Sequence, residues 1–277
     1  MLVTIACSQR TAPEPIMPKA TDTNVPVTSV SIPWNLTRIR EPNSYLSTNT
    51  ITIRLSADPT RNQEALLATT HFSVNLDTLP GRENISGVID NFSISTGARI
   101  GVPDKIQLPA AFTGESINGQ LKLQLVDQTN TRPACTDPAY SALSAVRRNF
   151  FIPPLQIFPR MTWMDSSSSE TCHGFIPALL RTTYTYRVVG ETEFKGTPAI
   201  LVERSTNTSS TAEGAQNQHR ILIRGDGSGT TQFYLDRTTG LLLGANSEQT
   251  TTLIITSSGR NQQFIQNSRE ILIRTNQ

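Results

Sequence analysis

The chain has 277 residues, 36% hydrophobic and 17% charged, and its 24 Lys and Arg against 22 Asp and Glu leave a net charge of +2. That composition excludes a wholly disordered chain and a bundle of membrane helices, because no run reaches the ~18 apolar residues of a spanning helix. A charge this near zero, with arginines scattered through strand-like stretches such as HRILIRG and REILIRT, argues for solvated strand faces and against a nucleic-acid partner.

The first stretch in chain order is MLVTIACSQRTAPEP. Leu2, Val3, Ile5 and Ala6 are apolar, but an export signal needs a basic start and an apolar core of roughly 7–15 residues. The run is as short as a start codon placed too late would leave it. TIAC resembles the end of a bacterial lipobox, with the small Ala6 before the cysteine that is acylated; Thr4 departs from the Leu usual there. The resemblance implies that residues 1–7 are a partial signal and that Cys7 is multiply acylated. Each buried acyl methylene contributes about 0.8 kcal/mol to membrane binding, so two or more chains hold firmly. A chance cysteine in a frayed terminus is the alternative. Residues 8–49 begin rich in Pro, Ser and Thr, without periodicity, and are expected to form a flexible tether.

Residues 50–277 are expected to form a β-rich domain, with residues 50–150 and 181–277 as its two halves. TITIRLSA places Ile51, Ile53 and Leu55 on one face, and LATTHFSVNLD does the same for Phe72, Val74 and Leu76. ISGVIDNFSIS reads as a strand in which Gly87 suggests a bulge. GQLKLQLVD alternates Leu121, Leu123 and Leu125 against Lys122 and Gln124. One buried and one wet face is the mark of an antiparallel sheet.

DPAYSALSAVRRNFF, residues 137–151, is the one good helix candidate. Asp137 can cap it, Pro138 suits its first position, and Tyr140, Leu143, Ala145 and Val146 form an apolar stripe. A Pro-rich crossover follows and runs through TWMDSSSSETCHG, where loops are expected. Setting Cys7 aside leaves Cys135 and Cys172 as an even pair. A disulfide, two free thiols, and a metal or catalytic site with Asp165, Glu170 and His173 are the readings open here.

A second strand series begins near residue 181. RTTYTYRVVGE ends in a Gly that suits a turn, TPAILVERS follows FKG, and HRILIRGDGSGTTQFYLD reads as two strands around a GDGSG turn. With DRTTG and TSSG as further punctuation, this half is expected to be an antiparallel meander of roughly six strands. The expected fold is therefore mainly β. One curved antiparallel sheet, a half-barrel or a sandwich, packs a short helix and the Pro-rich segment against its inner face, and two separate β domains are the competing arrangement.

Catalytic signatures are missing. Ser228 lies between Gly227 and Gly229, which is not the G-x-S-x-G elbow, and GDGSG lacks the Lys-Ser/Thr of a phosphate loop. His71, His173 and His219 are read as structural or exposed. No catalytic residue, cofactor or metal site is therefore assigned. Phe150, Phe151, Phe158 and Trp163 cluster around the Pro-rich segment. They form either the core beneath it or an apolar mouth for a hydrophobic ligand.

Four pieces carry a resemblance: TWMDSSSSETC, YTYRVVGETEFKGTPAILVERS, FYLDRTTGLLLGANSEQT and QFIQNSREIL. Their shared features are a Trp-Met-Asp after a Pro-rich approach, the G-x-x-x-x-x-G-x-P-A hairpin of Gly190–Ala199 and the Y-L-D-x-x-x-G-x-L hairpin of Tyr234–Leu242. They resemble bacterial envelope lipoproteins with a domain of unknown function, and in architecture are similar to the half-barrel lipoprotein carriers (LolA, LolB and LppX-like). The resemblance implies a non-enzymatic envelope lipoprotein facing the periplasm. It would be held at the membrane through Cys7 and bind a lipid, another hydrophobic ligand or an envelope protein. A β module with no small ligand is the alternative function, and a hydrolase a more distant one.

Overall fold

The computed structural model describes residues 33–38, 40–57, 64–79, 82–96, 108–117, 120–126, 135, 138–173, 176–216 and 219–275. Cys7, residues 8–32 of the expected tether and the capping Asp137 lie outside them. In chain order the elements begin with β1 (Trp34–Asn35), β2 (Asn43–Leu55), β3 (Glu64–Leu79), β4 (Arg82–Thr96), β5 (Ala110–Ile117) and β6 (Gln120–Leu125). The helix α1 (Pro138–Asn149) follows, then β7 (Gln156–Ile157), β8 (Thr162–His173), β9 (Ile176–Phe194) and β10 (Thr197–Gln216). The chain closes with β11 (His219–Asp236), β12 (Leu242–Ser257) and β13 (Arg260–Arg274).

Eleven strands form one antiparallel sheet in the order β6-β5-β4-β3-β2-β13-β12-β11-β10-β9-β8, curled into a half-barrel. The two halves of the sequence are two meanders zipped together where β2 pairs with β13, Phe264 opposite Leu55 and Arg274 opposite Tyr45. That seam excludes both the sandwich and the two-domain arrangement. The second half is an antiparallel meander as expected, but of five long strands, β9–β13, in place of roughly six; β8, which lies before residue 181, adds a sixth strand at its edge.

The expected tether reaches too far. Residues 43–49 belong to β2, a central strand, and Tyr45 is fully buried. Asn43, Tyr45, Ser47 and Asn49 all face inward; their polar identities hide the same period-two pattern that Ile51 and Ile53 make visible. Before β2, Trp34 pairs with Ile157, and the Leu36 N–H donates to the Leu155 carbonyl at 2.8 Å. Arg38 forms a 2.6 Å ion pair with Glu83 and also donates to the Pro153 carbonyl.

Three turn or loop expectations also fail. Gly225–Gly229 lies in the middle of β11, not at a hairpin tip. β11 is paired along this stretch with both β10 and β12, Gly227 standing opposite Thr208 and Thr251. TWMDSSSSETCH is the edge strand β8, paired with β9 from Thr162–Arg187 to His173–Ile176. Gly190 is inside β9, next to a register shift opposite Leu201 and Val202. In each case long-range pairing overrides the low strand propensity of these residues, on a scale that spans only about 1 kcal/mol. Gly87 marks no bulge either, since the register shift in the β3–β4 ladder falls at His71/Phe72. A Cβ at Gly87 would meet the Phe112 ring and the Ser73 carbonyl at 2.3 Å, so the missing side chain makes room for a core aromatic.

The helix forms as expected and lies on the concave side. Tyr140, Leu143, Ala145 and Val146 are buried, and the last turn holds Arg147 and Arg148, which complement the carbonyl end of the helix dipole. It also ties both free edges of the sheet. Arg147 donates to the Leu123 carbonyl of β6, and the Tyr140 hydroxyl donates to the Glu170 carbonyl of β8 at 2.5 Å. Exposed edges invite pairing with other chains, and side chains that take their carbonyls blunt that tendency.

Candidate functional site

Along β9–β13 the inward-facing residues change character in steps. Near the helix they are aromatic. Phe151 stacks on Phe233 at 4.5 Å and on Tyr186 at 5.3 Å, and Tyr186 stacks on Trp163 at 4.8 Å. Phe150 meets Tyr45 and Phe72 edge-on at 5.6 and 6.4 Å. One step further the cross-strand row reads Tyr186, Arg204, Thr231, Ser247, Glu270 and Asn49. Two more steps bring Ser167, Thr182, Thr208, Gly227 and Thr251 into line. At the far end a second apolar cluster of Ile176, Ala178, Ala212, Ile221 and Ile223 takes over, backed by Leu253 and Ile255.

Helix α1 and the Phe150–Ile152 segment fill only the aromatic end. Over the remaining rows the concave face bounds a groove of about 1070 Å³, the upper end of the size range of small-molecule sites. Phe150 and Phe151 line it, together with Tyr184, Thr182, Thr208 and Leu253 among others. The exposed serines 166–169 of β8 form one rim. The groove is open, but hydroxyl groups and not Phe, Leu and Ile dominate its middle.

The sequence-selected aromatics therefore separate. Phe150 and Phe151 are buried in the core and also border the groove. Trp163 is partly buried against that core, and Phe158 is exposed; neither lines the groove. Cys135 and Cys172 are joined in a disulfide with Cα atoms 5.5 Å apart, which removes the free-thiol and metal readings of the pair. Asp165 and His173 are eight residues apart on one strand, about 26 Å at the usual rise, so the Asp165, Glu170 and His173 side chains do not converge. Among the described residues no group of three or more His, Cys, Asp or Glu could hold a metal ion.

Each histidine has a local partner. His71 Nδ1 is 3.4 Å from Asp90, and His219 Nδ1 is 2.9 Å from the Ser258 hydroxyl. His173 Nε2 is 2.9 Å from the Ser210 hydroxyl, and burial pushes its pKa below the ordinary 6.5. Below about pH 6.5 the unfolded chain then binds more protons than the folded one, so stability falls as pH drops from there through the lower folded value. We expect the His173 ring resonance, assigned with His173→Asn, to titrate below the ordinary 6.5. A midpoint at or above 6.5 would contradict the burial.

Residues missed by sequence reasoning are those of the polar rows, above all Arg204. Its guanidinium is sandwiched between the Tyr184 and Phe233 rings, 5.0 and 4.9 Å from their centroids. Nη2 donates to the Arg148 carbonyl at 2.9 Å and to the Thr231 hydroxyl at 3.0 Å, and Thr231 donates on to Ser247. The Tyr186 phenol beside it is pushed up to about 12 by burial, with the Arg204 charge acting in the opposite direction. Parity was the available signal, because Arg204, Thr206, Thr208 and Ser210 continue the inward positions that start at buried Val202.

The chain matches no known family model, and no curated protein is significantly similar to it.

Proposed function

We propose that this is a non-enzymatic bacterial envelope lipoprotein, anchored through acylated Cys7, whose half-barrel binds a ligand with a hydrophobic part along its concave groove. The observation that carries this reading is the open groove of about 1070 Å³ beside a core that is otherwise tightly packed with aromatic rings. A scaffold built only for rigidity would gain by filling that space, since interiors normally pack to crystal-like density. The lipobox-like start and the similarity to half-barrel carriers supply the anchor and the compartment, and the disulfide is the bond an exporting pathway permits.

Expression from the native gene, including its upstream region, followed by organic extraction of the purified protein tests both parts. The expected results are an intact mass that starts at Cys7 with added acyl chains, and an extracted hydrophobic molecule released from the body. If the protein carries no extractable ligand and does not enhance the fluorescence of an apolar dye such as N-phenylnaphthylamine, the ligand-binding reading falls. The β module without a small ligand then replaces it.

A further inference from the structure

We propose that Arg204 is the recognition point for an anionic group, so that the groove takes an amphipathic anion: a long apolar chain ending in a carboxylate or phosphate. This rests on the groove-binding reading above and names the chemical class of its ligand.

The first ground is that Arg204 is only 8% exposed, yet no carboxylate among the described residues pairs with it. Buried charges are ordinarily paired. The two rings that sandwich the guanidinium hold it by cation–π attraction and keep water from its faces, but they supply no counter-charge. Nη2 is used up by the Arg148 carbonyl and Thr231, whereas Nε is buried with no acceptor at all. A guanidinium fixed by rings, by one amino group and by the Tyr186 phenol, with Nε left over, keeps a donor that an oxyanion can take.

The second ground is the charge around it. Arg147 and Arg148 also line this end of the groove, at the end of α1. The buried carboxylate of the row, Glu270, is engaged by the Ser47 hydroxyl at 2.5 Å and by Arg148 at 3.4 Å. Of the other lining acids, Glu248 faces Arg269 at 3.6 Å, and Asp165 and Glu170 lie on the β8 rim. The lining is balanced overall, Lys122, Arg147, Arg148 and Arg204 against these four acids, and three of the four cations, Arg147, Arg148 and Arg204, gather at the helix end.

The third ground is the course of the groove away from Arg204. Inward positions on β10 run Thr206, Thr208, Ser210 and Ala212, and end against the Ile176, Ile221 and Ile223 cluster. Eight residues of strand from Arg204 to Ala212 span about 26 Å. Hydroxyl groups with methyl-bearing threonines occupy the middle, and aliphatic side chains the far end. A charged head at Arg204 and an apolar tail at Ile223 use both ends.

The test uses the folded chain and paired fluorescent probes of equal length, cis-parinaric acid and its uncharged alcohol. Wild-type protein is expected to bind the acid at least tenfold more tightly than the alcohol. Arg204→Met, which keeps a long apolar stem between the rings, is expected to abolish that preference while alcohol binding persists. Equal wild-type affinity for acid and alcohol overturns the anionic head and leaves the groove reading standing; binding of neither probe overturns both. Octyl phosphate against inorganic phosphate separates the two sources of the anion. If inorganic phosphate competes as well as octyl phosphate, the site serves a free anion and the amphipathic class is wrong. The wild-type comparisons decide these points even if the Arg204 variant fails to fold.

Discussion

Replacing Phe151 with alanine is expected to cost about 3–5 kcal/mol of stability, the usual range for deleting a buried aromatic ring. Its ring is the centre of a stack. Phe233 lies 4.5 Å away on β11, Tyr186 5.3 Å away on β9, two strands over, and Trp163 6.4 Å away on β8. The residue belongs to the short segment after α1, so the same ring ties the helix to the concave face. Truncation removes the transfer free energy of the ring and leaves a cavity that three rigid aromatic neighbours, one of them also holding Arg204, are poorly able to collapse into. At the 2–4 °C per kcal/mol typical of chains of about 150–250 residues, the midpoint should fall by about 6–20 °C. Phe158→Ala is the matched control. Phe158 is 37% exposed and makes no aromatic contact among the described residues, so its loss should stay near 0.5 kcal/mol. Thermal unfolding followed through Trp163 fluorescence checks both. Equal effects at the two positions would mean that Phe151 is not a core residue.

The contrast between these two phenylalanines shows what periodicity can and cannot reveal. Strand faces were legible wherever apolar and polar residues alternate, as at Phe72, Val74 and Leu76, all of which are buried. The helix was legible for the same reason, and its buried stripe is the expected one. A cluster of aromatics around a Pro-rich crossover has no such period. Phe150, Phe151 and Phe158 look alike in sequence but are sorted by a backbone path that only the fold defines.

The polar part of the groove was hidden for a different reason. Ser166–Ser169, Gly225–Gly229 and Thr206–Ser210 carry the composition of loops. Gly225–Gly229 and Thr206–Ser210 are strand because neighbours of 16 to 20 residues on either side satisfy their backbone groups, and Ser166–Ser169 because the 19-residue β9 pairs with it on its one inner side. Where an inward face is hydroxyl-lined, alternation of hydrophobicity vanishes while alternation of burial persists. The inward parity of β10 survives at every second position, from buried Val202 and Arg204 through half-buried Thr206 and Thr208 to buried Ser210 and Ala212. The same stretch that obscured the fold therefore marks the candidate site: a sheet interior that has given up apolar packing along one band keeps that band for something other than its own core.

Breaking the Cys135–Cys172 bond is expected to cost about 4 kcal/mol, from the loop-closure entropy of a bridge spanning 37 residues of sequence. The bond joins the segment before α1 to the end of edge strand β8. Without it, the Tyr140–Glu170 hydrogen bond still ties the helix N-terminal half to that edge. The C-terminal half stays held by Arg147 to β6, by Arg204 to the Arg148 carbonyl and by the Phe150 and Phe151 rings. Loosening should therefore be uneven: hydrogen exchange should rise along β8 and the first turn of α1 and stay slow in β10–β12. The unfolding midpoint should drop by about 8–16 °C in Cys135→Ser/Cys172→Ser, and reduction of the wild-type protein should add two hydrogens in mass and reproduce the shift. A change of only a degree or two, with unaltered exchange in β8, would show that packing alone fixes the helix across the open side of the half-barrel and that the disulfide contributes nothing to holding the groove in shape.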